Sequence, residues 1–187
     1  MCLNDAWNSI SVETTGETTE AHMASNDPLR EELVFQLERG NAHMSFAEAV
    51  ADYPMERINT PFPNGSYSAW HLLEHLRLTQ WDILDFIRNP HYQERAWPQD
   101  YWPPRDQQAT PDDWQRTIHD FLADRQALRE IVMDPQTDLW APIPQGTGQT
   151  IAREIMVVAD HNAYHVGEFA IMRQVMGTWP SSHSTGG

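Results

Sequence analysis

The chain has 187 residues, 40% hydrophobic and 21% charged, which suits a single soluble globular domain. Its net charge of −15 disfavours nucleic acids and anionic membrane surfaces as partners, because both would repel it. No run approaches the roughly 18 apolar residues that a membrane helix needs.

Lysine is missing, and cysteine occurs once. All twelve basic residues are arginine, which excludes Schiff-base catalysis and the nucleotide-binding motifs that depend on lysine. Cys2 lies at the N-terminus, so we expect no disulfide, no cysteine metal cage and no cysteine nucleophile. This composition fits a cytoplasmic location, and any metal must be held by His, Asp or Glu.

The N-terminal part is predicted to be a disordered leader followed by a helix. Residues 1–25 are polar and lack the basic start and apolar run of a signal peptide. The first helix is predicted to begin at Asp27-Pro28, an N-cap followed by proline at the first helical position. Apolar and small residues then recur at three and four spacing as far as Ala51.

Three further helices are predicted, each with recognisable boundary residues. They run from Ser66 or Ser68 to Arg88, from Thr110 to the residue before Pro135, and from about Thr150 to Met176. Asn89-Pro90 ends the first of these, and Gly177 is the predicted C-cap of the last.

These elements predict an all-α four-helix bundle over residues 26–178, with a disordered tail at 179–187. No strong strand pattern is present, since the best candidate, Leu139–Ile143, is interrupted by proline. The connection over 89–109 is long for a bundle and would let the second and third helices run parallel. Its aromatic residues indicate a packed loop or a lid.

Two histidines of the fourth helix, His161 and His165, lie four residues apart and share one face. Imidazole is a good ligand for Zn, Ni, Cu and Fe. A histidine in an apolar stripe must be hydrogen-bonded or ligated, because burying it unpaired costs about 1–3 kcal/mol. Two interpretations of His161 and His165 remain open: they are two ligands of a metal site, or they are two polar residues that share a helix face.

The second helix offers a third ligand. His75 lies about two turns into that helix and is the better candidate, whereas His71 lies in the first turn and is predicted to be a capping or mouth residue. The other histidines are predicted to be solvated; they are His22, His43, His91, His119 and His183.

Two common metal motifs are excluded. Asn162 follows His161, so the HExxH protease pattern is absent. No histidine of the three has glutamate three residues before it, so the Glu-x-x-His motif of di-iron bundles is absent too. A mononuclear site with open positions remains, which is typical of catalysis. Glu168 and Asp82 are candidate acceptors for a ring N–H, or fourth ligands, if they are not solvated acids.

Two stretches resemble the DinB-like (DinB/YfiT) superfamily of four-helix bundles. They are AWHLLEHLRLTQWDILDFI in the second helix and TIAREIMVVADHNAYHVGEFAIMRQVMG in the fourth. His161, His165 and Gly167 match the family's H-x-x-x-H-x-G pattern, and His75 matches its helix-two histidine. The resemblance covers about residues 27–177. It implies an up-down-down-up bundle with a divalent metal, zinc or nickel among others, on His75, His161 and His165.

The resemblance also implies candidate functions. Characterised relatives include S-transferases and isomerases that use low-molecular-weight thiols such as bacillithiol or mycothiol; many members have no known activity, and many are dimers. Relatives often carry Gln where this chain has Glu168. We therefore expect a metal-dependent thiol transferase or hydrolase acting on a small molecule, with Arg77 and Arg153 as candidate partners for the thiol's carboxylates. The resemblance favours a homodimer. The alternatives are a non-catalytic metal-binding stress-response protein and a plain structural bundle.

Overall fold

The computed structural model describes residues 17–39 and 42–180, and within these ranges every regular element is helical. The helices are α1 (Glu17–Glu38), α2 (Phe46–Val50), α3 (Ala69–Arg88), α4 (Pro111–Met133) and α5 (Ile151–Met176). Four of the five are long, which confirms the all-α class. The predicted leader lies outside the described residues as far as residue 16, and the predicted tail does so from residue 181.

The first predicted helix differs from the structure at both ends. Helix α1 begins ten residues before Asp27 and contains Pro28, whose fixed φ is itself helical although the ring removes one backbone hydrogen bond. The predicted continuation to Ala51 is wrong, because α1 ends at Glu38 and α2 is a separate helix. Ser45 starts α2 through a capping box with Glu48, which supplies the backbone partners of a new N-terminus.

The other three helices are confirmed to within a few residues. Ser68, Thr110 and Thr150 each cap a helix N-terminus through their side-chain oxygen. Helix α5 ends at Gly177, whose φ of 61° lies in the left-handed region that favours glycine.

Helix α3 packs against α4 and α5, and α1 packs against the same two helices. A buried polar chain joins three of them: the Asn162 amide donates to Gln80, and the Gln80 amide donates to the Phe121 carbonyl. This pairing satisfies polar groups that would be costly to bury alone. No helix of the described residues combines the length and apolarity that crossing a membrane requires.

Two buried arginines tie chain segments to helix ends. Arg173 of α5 is fully buried and donates to the carbonyls of Ala49, Ala51 and Thr178. Arg30 of α1 donates to three carbonyls at and beyond the end of α4, those of Val132, Asp134 and Thr137. Helix C-termini leave carbonyls without partners, and a guanidinium supplies several donors at once.

Candidate metal centre

Three histidines from two helices meet between α3 and α5. The Nε2 atom of His75 lies 3.2 Å from Nε2 of His165 and 3.2 Å from Nε2 of His161. One potential ligand atom from each lies within 4.8 Å of the others. The structure therefore brings together the three histidines that the sequence singled out.

Each of these rings has a partner at its other nitrogen. Nδ1 of His75 lies 2.7 Å from the Tyr101 carbonyl, which can only accept. Nδ1 of His165 lies 2.6 Å from Oε2 of Glu168. A proton on Nδ1 leaves Nε2 as the lone-pair atom, so both contacts favour the tautomer that binds a metal through Nε2.

The third ring, His161, has a weaker partner. Its Nδ1 lies 3.4 Å from the hydroxyl of Thr79, one turn beyond His75 on α3. That hydroxyl is 2.9 Å from the carbonyl oxygen of His75 and donates its proton within the helix. Its oxygen is left to accept from the ring of His161, so the same tautomer is favoured here.

The surroundings keep two of the rings uncharged. Removal from solvent lowers the pKa of His75 to about 4. The same cause, with the neighbouring histidines adding to it, lowers the pKa of His161 to about 3. Both side chains are therefore neutral at physiological pH, with a lone pair available to a cation.

The spacing of the nitrogens fits a bound ion. A tetrahedral metal with nitrogen ligands at about 2.0–2.1 Å holds those ligands about 3.3–3.4 Å apart. The two Nε2 separations of 3.2 Å that meet at His75 are close to this value. Three nitrogen donors also leave a coordination position for a further ligand. The residues present therefore fit one divalent ion.

Glu168 joins the centre to its surroundings. One carboxylate oxygen faces His165, and the other accepts a hydrogen bond from the Tyr67 hydroxyl. Burial works to raise the pKa of Glu168, but the hydrogen bonds from His165 and Tyr67 outweigh it and the pKa lies below its usual value. Burial and the nearby carboxylate raise the pKa of Tyr67. The pair is thus an ionised acid held by a protonated phenol.

Asp82, the other candidate acid, contacts none of the three rings among the described residues. It accepts hydrogen bonds from the hydroxyls of Tyr101 at 2.8 Å and Tyr92 at 3.2 Å, and Arg95 lies 3.7 Å away. Asp82 lies two helical turns after His75 on α3. Its three partners all belong to the connection between α3 and α4, so it faces that connection and not the histidines. Of the interpretations offered for Asp82, the described contacts give it a place among tyrosine hydroxyls and an arginine, not beside a histidine ring.

The long connection covers the outer side of His75. The Trp102 ring stacks on the imidazole with centroids 3.9 Å apart and planes 6° apart. His71 also contacts this connection, since its Nε2 lies 3.1 Å from the Pro104 carbonyl, while its Nδ1 completes the α3 capping box with Ser68. The predicted capping role of His71 is confirmed, and so is the packed character of the loop at these residues.

Other sequence candidates lie elsewhere. Arg77 pairs with Glu74, and Arg153 pairs with its neighbour Glu154 at the far end of α5. Trp70 is buried, whereas Tyr164 is 71% exposed and meets His165 only edge-on. The prediction of solvated histidines is confirmed for three of them, since the structure exposes His43, His91 and His119.

A cleft of 410 Å³ runs along α5 beside the centre. We call it the α5 cleft; it is lined by Phe62, Tyr67, Tyr164, Gly167, Glu168, Ile171 and Met172. Apolar side chains dominate this lining, and Glu168 is its one charged member among the described residues. Among the described residues, a side-chain carbon at Gly167 would meet no atom within 4 Å other than those of its neighbours along α5, so the cleft is open there.

Four contributors to the centre were not assigned a role from the sequence: Tyr67, Thr79, Tyr101 and Trp102. Thr79 follows His75 by four residues, and this spacing places both on one face of α3, so the signal was present. Tyr101 and Trp102 lie in the aromatic connection that suggested a lid, but nothing in the sequence pairs them with His75.

Comparison with protein families gives one assignment. A family model described as the DinB superfamily matches residues 38–169, a range that contains all three histidines and Glu168. The chain belongs to the DinB superfamily. Comparisons with curated proteins and with solved structures gave no match. Membership in the DinB superfamily and the three-histidine cluster agree with each other, since divalent-metal binding is known in this superfamily.

Proposed function

We propose that this DinB-superfamily chain is a metal-dependent enzyme that holds one divalent ion, zinc or nickel, and activates water or a low-molecular-weight thiol. The observation that carries the proposal is the convergence of three Nε2 atoms whose rings each have an Nδ1 partner. A histidine cluster that served only packing would not need the same tautomer at all three rings.

When bound, a divalent ion on three imidazoles supplies a Lewis acid that lowers the pKa of a water or thiol beside it. The protein's part is to hold the ligands and the substrate. His75, His161 and His165 supply the nitrogens, and Glu168 orients His165. Because Cys2 is the one cysteine of the chain, a thiol nucleophile would be a cosubstrate.

The α5 cleft is the proposed place of the small-molecule substrate. It adjoins the centre through Glu168 and Tyr67, and its walls of Phe62, Ile171 and Met172 suit an apolar body. No arginine from the described part of the chain lines it, so the structure gives no support to Arg77 or Arg153 as partners for a thiol's carboxylates.

One observation favours the alternative of a metal-binding stress-response protein without catalysis. None of the three histidines lines the α5 cleft, and His75 is only 1% exposed. An ion that substrate cannot reach would stabilise the fold or be stored by the protein, and it would not take part in catalysis. Release of product from a substrate panel, measured with the metal-loaded protein, separates the two functions.

The order of helix directions, up-down-down-up, is part of the proposal. Glu74 and Gln80 of α3 bond to Thr117 and Phe121 of α4 in the same chain order, which supports parallel helices. Contacts in the opposite order support antiparallel helices elsewhere; they join Arg30 with Asp134, Glu38 with Arg125, His75 with His165, and Gln80 with Asn162.

A homodimer is proposed as well. Helix α5 exposes Val157, Tyr164, Ile171 and Val175, which recur at helical spacing. Such a stripe is a candidate for contact with a second copy, which would then form part of the wall of the α5 cleft, because Tyr164 and Ile171 belong to both.

The first experiment is elemental analysis of protein purified without a histidine tag. We expect about one metal ion per chain, and none in His75→Ala, His161→Ala or His165→Ala, because a two-histidine site binds too weakly to survive purification. His71→Ala is the matched control: it removes a capping histidine on the same helix and should retain the ion. Full metal content in a triad variant, or its loss in His71→Ala, would contradict the assignment.

A further inference from the structure

The connection between α3 and α4 contacts His75 on two sides with consecutive residues. The Tyr101 carbonyl lies 2.7 Å from Nδ1, and the Trp102 ring lies flat on the imidazole at 3.9 Å. The first contact fixes which nitrogen carries the proton, and the second fixes the plane of the ring. Neither contact comes from the helix that bears His75, so the ring's orientation depends on how the connection is held.

Asp82 holds that connection. It lies on α3, two turns after His75, and its side chain is 9% exposed. The hydroxyl of Tyr101 donates to it at 2.8 Å, and the hydroxyl of Tyr92 donates to both of its oxygens at 3.2 Å. Arg95, at 3.7 Å, supplies a positive charge from the same connection. A buried carboxylate with three partners from one loop acts as the anchor of that loop.

Tyr101 therefore links Asp82 to the histidine. Its side chain reaches down to the carboxylate, while its backbone carbonyl reaches the imidazole. Tyr92 shares the anchor and its hydroxyl also lies beside that of Tyr101, but among the described residues no atom of Tyr92 bonds to the imidazole of His75. This difference between two tyrosines on one carboxylate separates a role in orientation from a role in loop stability.

We propose that Asp82 and Tyr101 are positioning residues for His75: α3 carries both the ligand and the anchor of the loop residue that orients it. The proposal rests on the proposed metal function for its consequence, which is tighter metal binding. Its structural content, the Nδ1–H tautomer of His75, holds in the metal-free protein and can be measured there.

The test uses the full chain with Tyr101→Phe and Asp82→Asn, and with Tyr92→Phe as the matched control. Zinc affinity is measured by chelator competition, and the Co²⁺ absorption spectrum reports ligand geometry. We expect Tyr101→Phe and Asp82→Asn to weaken zinc binding about tenfold and to change the Co²⁺ spectrum, because the Tyr101 carbonyl that orients His75 would lose its anchor, and misplacing an outer-sphere partner commonly has an effect of this size. Tyr92→Phe should change zinc affinity by less than about threefold.

Nitrogen-15 spectra of the metal-free proteins give the second readout. We expect His75 in the parent to carry its proton on Nδ1, and Tyr101→Phe to populate the other tautomer, while Tyr92→Phe does not. Unchanged tautomer and zinc affinity in Tyr101→Phe would overturn the positioning role. Equal losses in the two tyrosine variants would overturn it too, by showing a general effect of loop stability.

The outcomes also separate this inference from the proposed function. If the parent binds no zinc but the tautomer shifts as expected, the metal function fails and the orientation of His75 by Tyr101 stands. If the parent binds zinc and neither readout responds to Tyr101→Phe, the metal function stands and the positioning role fails.

Discussion

The proton on Nδ1 makes each of the three histidines a potential ligand at Nε2. The acceptors are of three kinds: a backbone carbonyl for His75, a carboxylate for His165 and a hydroxyl for His161. The carboxylate is the strongest of these because it carries charge. We therefore expect the three rings to differ in how firmly they are held, with His165 the most constrained.

Substitutions of Glu168 test whether its hydrogen bond with His165 affects metal binding. Glu168→Gln keeps an oxygen that can accept from His165 but removes the negative charge, so zinc affinity should fall by a few-fold. Glu168→Ala removes the acceptor and should weaken binding about 10–100-fold. Chelator competition measures both. Equal affinities in the two variants would mean that the hydrogen bond to His165 has no influence on the metal.

The predictability of the centre differs residue by residue. His161 and His165 were predicted because spacing of four on one helix fixes their relation. His75 was predicted by its depth in a second helix, supported by the family resemblance. Tyr101 was not paired with His75, because 26 residues of chain separate them and no periodicity governs an irregular loop. Local pattern predicts ligands on helices far better than it predicts what loops place against them.

Among the helices, too, local sequence signals predicted some boundaries well and missed another. Capping residues predicted the N-termini of α3, α4 and α5 because the cap is a local hydrogen bond. The break between α1 and α2 was missed, although Ser45 and Glu48 form a capping box that the sequence displays. The apolar spacing ran on past Glu38 and concealed this signal, since a short helix can continue the periodicity of its predecessor.

Arg173 links several elements at once. It is fully buried, joins α5 to the end of α2 through the carbonyls of Ala49 and Ala51, and stacks on Trp179 at 4.0 Å. Arg173→Met keeps much of the packing but leaves these carbonyls unpaired. We expect the free energy of unfolding to fall by about 3 kcal/mol or more, measured by denaturant titration. Arg125→Met, which removes one hydrogen bond to the Glu38 carbonyl and a distant contact with the Phe121 ring at 5.9 Å, is the comparison and should cost about 1 kcal/mol.

If the two arginine variants were equally stable, the carbonyls released by Arg173 would have found other partners, and α2 would not depend on this side chain for its position. The distinction matters for the centre because α2 packs against α5, which carries two of the three histidines.

For the whole molecule, charge favours the proposed cofactor. The chain has 27 acidic and 12 basic residues. A field of this sign attracts divalent cations and repels anions, most strongly at low ionic strength. An anionic thiol would have to overcome it, whereas an uncharged substrate would not.

The ligands of the centre come from α3 and α5, with 86 residues of chain between His75 and His161. An ion held there is a reversible cross-link that the unfolded chain cannot form. Folding and metal binding are then thermodynamically linked: free metal at a hundred times its dissociation constant adds about 2.7 kcal/mol to stability. The melting temperature should climb steadily with the logarithm of the free zinc concentration, and in His75→Ala it should stay flat. A thermal titration would thus measure the affinity of the site without any knowledge of the substrate.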